Sequence, residues 1–345
     1  MKRIIKITSL FILSILLVHF VSTIIVYESI FNYRCTSLTY LMPTIEDYEN
    51  LESTRHEFNT NKNNKLVGYL YSNKEIEEKA LVVFSHGLGS GGQIGYLEIY
   101  NYLTSNGYYV FAYDATANDE SEGSAIGGLP QGIIDLDNTI NYVKTIEEVK
   151  DLPLMLMGYS FGAYSVSNVL NYQTDIKAIV SIAGWNESIN QIEYRSSLYV
   201  KDFSKVLVPF VRMYERMKYG KYATSKAMNA FDNTNSKIMI IHGENDESVP
   251  IEYGYNMFYE KYHNDERFIF KYYDNRNHTN IYYDEEKAIK YDNFLTEFEL
   301  YKSKNKITNE DIINYVNQNL DKELIVNKLD YSLFKEIIEF YDSTI

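Results

Sequence analysis

A single cysteine, Cys35, in 345 residues excludes an intrachain disulfide and any metal site built from thiolates alone. Basic stretches are also scarce. The chain has 33 Lys and Arg against 47 Asp and Glu, a net charge of -14, with the acids scattered rather than run together. Nucleic acid binds through a basic patch or stripe, so that class of partner is disfavoured, and anionic substrates with it. Neither G-x-x-x-x-G-K-[ST] nor H-E-x-x-H occurs, which leaves a phosphate-cradling loop and a zincin site unsupported. Internal repeats and low-complexity blocks are absent too, and 45% apolar residues suffice for a full core. No metal or cofactor is implied.

What is present begins at the N-terminus. Lys2, Arg3 and Lys6 precede twenty residues without formal charge, 7–26. As a helix these rise roughly 30 Å, the thickness of the hydrocarbon core. A cleavable signal has a shorter apolar region, about 7–15 residues, followed by a small-residue cleavage site. Here Tyr27-Glu28-Ser29-Ile30-Phe31-Asn32-Tyr33 follows, so the span reads as an uncleaved anchor. The leading positive charges keep residues 1–6 inside and place everything after Val26 outside the cytoplasm. His19, within the span, has no partner helix in this reading, and Cys35 is a plain juxtamembrane residue.

Residues 27–64 are polar and aperiodic and read as a stalk. From residue 65 the pattern changes. Short β-rich runs at 66–71, 80–85, 108–113, 154–157, 176–182, 237–241 and 267–273 alternate with helical spacing at 96–105, 132–147, 160–171, 251–262 and 285–301. That alternation predicts an α/β domain over 65–302 with a mostly parallel, doubly wound sheet. The interval 186–235 lacks a strand and reads as a helical cap insertion. Residues 303–345 read as a C-terminal helical extension.

Gly158-Tyr159-Ser160-Phe161-Gly162 follows one of the apolar runs and opens a helix, the setting of a nucleophile elbow. A serine hydroxyl needs a base, an orienting acid and donors for the oxyanion. Of six histidines, His19 falls in the span, His56 in the stalk, His263 on a surface helix, and His86 and His242 precede glycine at strand ends. His278, in a polar loop after the last strand, is the candidate base. Asp246, past the strand ending at 241, is the candidate acid, with Glu187, Glu244 and Asp274 as competitors. The order Ser, Asp, His is that of α/β hydrolases. The backbone N–H groups of Phe161 and Leu88 are the candidate oxyanion donors.

The segment from Gly87 to Gly92 also fits G-x-G-x-x-G between a strand and a helix, with Asp114 at the next strand end. This is the dinucleotide-binding signature in its expected context. That reading leaves the groups at three later strand ends unexplained.

On these segments, residues 66 to about 301 resemble the α/β-hydrolase superfamily, particularly bacterial hydrolases related to serine aminopeptidases and monoglyceride lipases. His86-Gly87-Leu88 is similar to the oxyanion loop, 158–163 to the elbow, His242-Gly243 with Asp246 and Val249-Pro250 to the acid loop, and Asn277-His278 to the histidine loop. Residues 113–123 depart from the pattern D-x-R-G-x-G-x-S-x-G, lacking its arginine and early glycines.

The resemblance implies a serine hydrolase that cleaves a carboxylic ester through Ser160, His278 and Asp246, without a cofactor. A serine peptidase, an acyl-aminopeptidase-like enzyme and a thioesterase are alternatives. A non-catalytic surface module and a dinucleotide-binding oxidoreductase are the readings from other classes. The aromatics Trp185, Tyr194, Tyr199, Phe203, Phe210 and Tyr214 suit an apolar or aromatic acyl group, or equally a cap core. Oligomeric state is not legible.

Overall fold

The structure, a computed structural model, describes residues 1–60, 64–89, 91–304 and 307–345. Eight strands form one sheet: β1 (Leu51–Asn59), β2 (Lys65–Asn73), β3 (Ala80–Ser85), β4 (Tyr108–Tyr113), β5 (Leu154–Tyr159), β6 (Ala178–Ile182), β7 (Lys237–Gly243) and β8 (Phe268–Tyr273). Their order is β1-β2-β4-β3-β5-β6-β7-β8. The first two strands are antiparallel to their neighbours and the remaining pairs are parallel. β3, β5 and β6 are buried along their whole length, which is why they read as unbroken apolar runs rather than alternating ones.

Twelve α-helices accompany the sheet among the described residues. α1 (Lys2–Phe31) precedes it; α2 (Leu97–Thr104), α3 (Pro130–Val143) and α4 (Phe161–Val169) follow β3, β4 and β5. Between β6 and β7 lie α5 (Ser188–Val200), α6 (Ser204–Tyr219) and α7 (Ala227–Asp232), filling the interval expected to hold a cap. α8 (Tyr255–Tyr262), α9 (Glu285–Lys304), α10 (Asn309–Asn319), α11 (Glu323–Val326) and α12 (Tyr331–Asp342) complete the chain. One core layer joins the sheet to α3, α4, α7 and α8, and the other joins it to α2 and α12. Helices on both faces of a mostly parallel sheet make this a doubly wound α/β fold, with α5 to α7 inserted between β6 and β7.

Three expectations about boundaries change. The stalk is part of the folded body: Leu51–Asn59 pairs with β2 from Leu51 opposite Asn73 to Asn59 opposite Lys65. Only Leu51 and Phe58 of this edge strand are buried, so its sequence is polar and carries no alternation to read. Of the same segment, residues 61–63 lie outside the described residues. Upstream, Tyr27, Phe31 and Cys35 are buried in the core, so Cys35 is not a plain juxtamembrane residue. The C-terminal extension also belongs to the core. Leu333, Phe334 and Ile337 of α12 are buried against the sheet, and the Tyr341 hydroxyl donates to the carbonyl of Leu156 in β5 at 2.8 Å.

α1 is the one helix among the described residues long and apolar enough to cross a membrane. It extends past the expected span and packs on α6, so the partner helix that the sequence did not reveal exists. The His19 ring lies 6.3 Å from that of Phe210.

Candidate active site

Ser160 sits between β5 and α4 with φ 55° and ψ -115°, a conformation that costs a non-glycine residue energy and aims its side chain out of the turn. The turn is tight on both sides. A Cβ at Gly158 would run into the carbonyl oxygen of Gly162, and one at Gly162 into that of Ser85 in β3. Both positions therefore require glycine, which the pentapeptide supplies. The Ser160 N–H donates to the Ile182 carbonyl at 2.8 Å, tying the elbow to β6.

The structure brings three of the sequence-derived residues together. Ser160 Oγ lies 2.9 Å from His278 Nε2, and His278 Nδ1 lies 2.7 Å from Asp246 Oδ2. With Nδ1 donating to the carboxylate, Nε2 is left as the acceptor of the serine proton. Asp246 is held in turn. Its Oδ1 accepts from the N–H groups of Ser248 at 2.8 Å and Val249 at 2.7 Å, while Oδ2 lies 3.3 Å from His242 Nε2. Burial alone would raise this carboxyl. The bonds from His242, His278 and the Val249 amide outweigh it and hold the group well below the usual carboxylate range, ionised at any working pH.

His242, placed by resemblance in the acid loop but set aside as a catalytic base, has a contact with Asp246 that sequence reasoning did not read. Elimination placed it at a strand end beside glycine, and its fully buried ring faces Asp246 from the end of β7. Its spacing four residues before Asp246 was the available signal.

The competing acids have other partners or places. Glu187 pairs with Arg212 at 3.1 Å and Lys226 at 3.3 Å, and Asp274 offers its backbone carbonyl to Asn245. Tyr159 steadies the histidine loop, its hydroxyl donating to the His278 carbonyl at 2.8 Å and its ring centroid lying 5.2 Å from the imidazole.

Phe161 is the first residue of α4, so its N–H has no acceptor within the helix. Leu88 lines the same cavity as Ser160. Its loop is shaped by His86, whose Nε2 accepts from the Ala115 N–H at 3.0 Å and whose Nδ1 donates to the Gly87 carbonyl at 2.7 Å. Burial lowers the pKa of this imidazole, in keeping with its neutral form.

Gly91 and Gly92 of that loop pack against the chain itself, while Gly89 faces open space. The Gly92 N–H donates to Asp119 Oδ2 at 2.9 Å and to Ser37 Oγ at 3.1 Å, and a Cβ at Gly91 would meet Ser37. Asp114, which the dinucleotide reading would put on a ribose, is buried and accepts from the N–H groups of Gln93 and Glu120. The Gly91-Gly92 end of the loop is thus occupied by the chain itself; Ser90 lies outside the described residues.

The loop that departs from the family pattern is gripped by the segment after α1. Arg34 donates to the carbonyls of Ser121 at 2.8 Å and Gly123 at 3.0 Å, the Cys35 N–H to that of Ala117 at 2.9 Å, and the Ser37 N–H to Asp119 Oδ1 at 2.7 Å.

A cavity of about 1000 Å³ opens over Ser160 and His278, at the upper end of sizes for small-molecule sites. Of the cap aromatics, Trp185 and Tyr199 line it. Tyr194 instead bonds the Glu247 carbonyl, Tyr214 bonds Glu28, and Phe210 faces His19 and Phe20. The side chain of Phe203 lies outside the description.

Comparison with known proteins bears on the fold. Residues 76–219 match the family model described as serine aminopeptidase, S33. No curated protein sequence matches the chain. Among solved structures, an esterase of Pyrococcus furiosus is similar at 20% identity and TM-score 0.54, covering 77% of this chain and 97% of its own. An acylaminoacyl peptidase of Pyrococcus horikoshii is similar at 20% identity and TM-score 0.53, over 68% of this chain and 38% of its own. A Butyrivibrio proteoclasticus protein, Est1E, with ferulic acid bound, matches at 18% identity and TM-score 0.52, over 70% of this chain and 98% of its own. The eight-stranded sheet, the matched family model and these likenesses together show that the chain has the α/β-hydrolase fold.

Proposed function

We propose that the protein is a membrane-anchored serine hydrolase that cleaves a carboxylic ester through an acyl-enzyme on Ser160. The observation that carries this reading is the continuous relay from Ser160 Oγ through His278 to Asp246, at 2.9 and 2.7 Å, at the floor of a large apolar cavity.

The chemistry follows from those contacts. His278 Nε2 takes the hydroxyl proton as Ser160 Oγ attacks the ester carbonyl carbon, and Asp246 stabilises the imidazolium. The oxyanion faces the N–H groups of Leu88 and Phe161. Collapse breaks the carbonyl carbon–alkoxy oxygen bond, and the departing oxygen takes the proton from His278 to leave as the alcohol. Water, deprotonated by the same nitrogen, then attacks the acyl-enzyme. The second collapse returns the proton to Ser160 and releases the carboxylic acid.

An ester is favoured over a peptide because an alkoxide leaves with less assistance than an amine; a thioester would follow the same steps. The likeness in fold to an acylaminoacyl peptidase keeps the peptidase as a second reading. The anchor is α1, with Lys2, Arg3 and Lys6 retaining the N-terminus inside and the catalytic body outside the cytoplasm.

The test is labelling of the full chain in detergent by a fluorophosphonate. Labelling that disappears in Ser160→Ala supports the reading, and a folded, monodisperse sample that does not label refutes it. Protease added to intact cells should digest the body; protection would refute the topology.

A further inference from the structure

The cavity over Ser160 has an unexpected long wall: the apolar N-terminal helix. Val18, Ser22, Val26 and Ile30 line it at intervals of four residues, so one face of α1 looks into the cavity. Twelve residues rise about 18 Å, close to the depth of one leaflet, roughly half of a 30 Å hydrocarbon core. At the other end of the same space stand Ser160, His278 and Leu88.

The facing wall is the cap, and α1 is fastened to it. The Tyr27 hydroxyl donates to Glu215 Oε1 at 2.8 Å, and Lys218 and Tyr214 both bond to Glu28. Contacts advance along both helices together, His19 with Phe210 and then Glu28 with Lys218, so α1 and α6 run in the same direction. The start of α6, with the α5 end before it, therefore lies beside the membrane-spanning part of α1. The outer surface there carries exposed apolar side chains, Leu198, Tyr199 and Val206 at 58%, 87% and 49% exposure, beside the exposed charges of Lys201, Asp202 and Lys205. Arg195 is the one Lys, Arg, Asp or Glu lining the cavity among the described residues.

We propose that α1 is a wall of the substrate site as well as an anchor, and that the substrate is a membrane lipid ester. Its long acyl chain lies along the Val18 to Ile30 face, with the ester carbonyl at Ser160. This rests on the serine hydrolase reading. With α1 and the exposed apolar side chains of the cap at the same level, the chain passes sideways from the leaflet into the cavity, from one apolar surrounding into another. A route through water would expose every methylene on the way. The cavity volume and its nearly uncharged lining suit a chain of that kind.

The experiment uses the full-length protein in phospholipid nanodiscs with two probes. One is a short ethyl fluorophosphonate; the other is a hexadecyl fluorophosphonate with a diazirine at the far end of the chain. Both should label Ser160. Photolysis of the long adduct should then cross-link it to peptides containing residues 18–30. Ser22→Trp and Val26→Trp, which narrow the groove, should lower the ratio of long- to short-probe labelling rates by about tenfold or more.

Labelling by both probes with cross-links confined to residues outside α1 would overturn the proposal and leave the hydrolase standing. An unchanged ratio in both tryptophan variants would do the same. No labelling of Ser160 by either probe would overturn both. Should a tryptophan variant fail to fold, the cross-linked peptide of the wild-type chain decides the matter alone.

Discussion

Replacing Glu215 with glutamine should make the protein more stable at neutral pH and leave it almost unchanged in acid. Glu215 is 1% exposed, and its Oε1 accepts from Tyr27 at 2.8 Å and Ser188 at 2.7 Å. No Lys or Arg stands within ion-pairing distance among the described residues. Burial raises this carboxyl to about 7, the two hydroxyl bonds countering only part of the effect. Between the ordinary value near 4.5 and about 7, the folded chain holds a proton that the unfolded chain has released. Stability from this group is thus full below the unfolded value and is lost as the pH rises to the folded one. At about 1.4 kcal/mol per pH unit the loss comes to about 3 kcal/mol.

Glu215→Gln keeps an oxygen acceptor for both hydroxyls and never ionises. Thermal unfolding of the full chain in detergent, followed by near-ultraviolet circular dichroism, should give similar midpoints for the two proteins at pH 4.5. At pH 8 the variant should unfold higher by on the order of 5 °C. The variant retains some slope, because burial also raises Glu98 and Asp114 to about 7. A wild-type-to-variant difference that is the same at both pH values would refute the reasoning.

Two further outcomes follow from other contacts. Asp246→Asn keeps the shape but cannot hold His278 in the required tautomer, so kcat on a short ester should fall on the order of 10⁴-fold with the unfolding midpoint little changed; retention of more than about a tenth of the activity would remove Asp246 from its role. Phe334→Ala, in the helix first read as an added tail, should cost about 3–5 kcal/mol in denaturant unfolding because its side chain is fully buried against the sheet; a loss below about 1 kcal/mol would return α12 to the status of an appendage.

The sheet and the three relay residues were legible because their signals are local. Central strands buried on both faces must be continuous apolar runs, and the elbow must have glycine where β3 and α4 come within contact. His278 was reached by elimination among six histidines, and Asp246 by its place just past a strand end in the order Ser, Asp, His. β1 was illegible because an edge strand with two buried residues has no reason to alternate. The buried roles of Tyr27, Phe31 and Cys35 were hidden by proximity to an apolar span, which accounts for their character without any partner. α12 shows a helical period, but a period does not state which surface the helix will cover. The place of His242 beside Asp246 depends on a turn that brings the loop back over β7, a geometry that sequence alone leaves open.

The clasp of Arg34, Cys35 and Ser37 on the loop around Ala117 and Asp119 leaves no slack between the helix and the catalytic body. With α1 in a bilayer, these contacts would restrain the body from swivelling and hold Ser160 near one height above the surface. Such an enzyme surveys a plane rather than a volume: its rate would follow the mole fraction of substrate in the surrounding lipid, and diluting the vesicles in buffer would leave it unchanged.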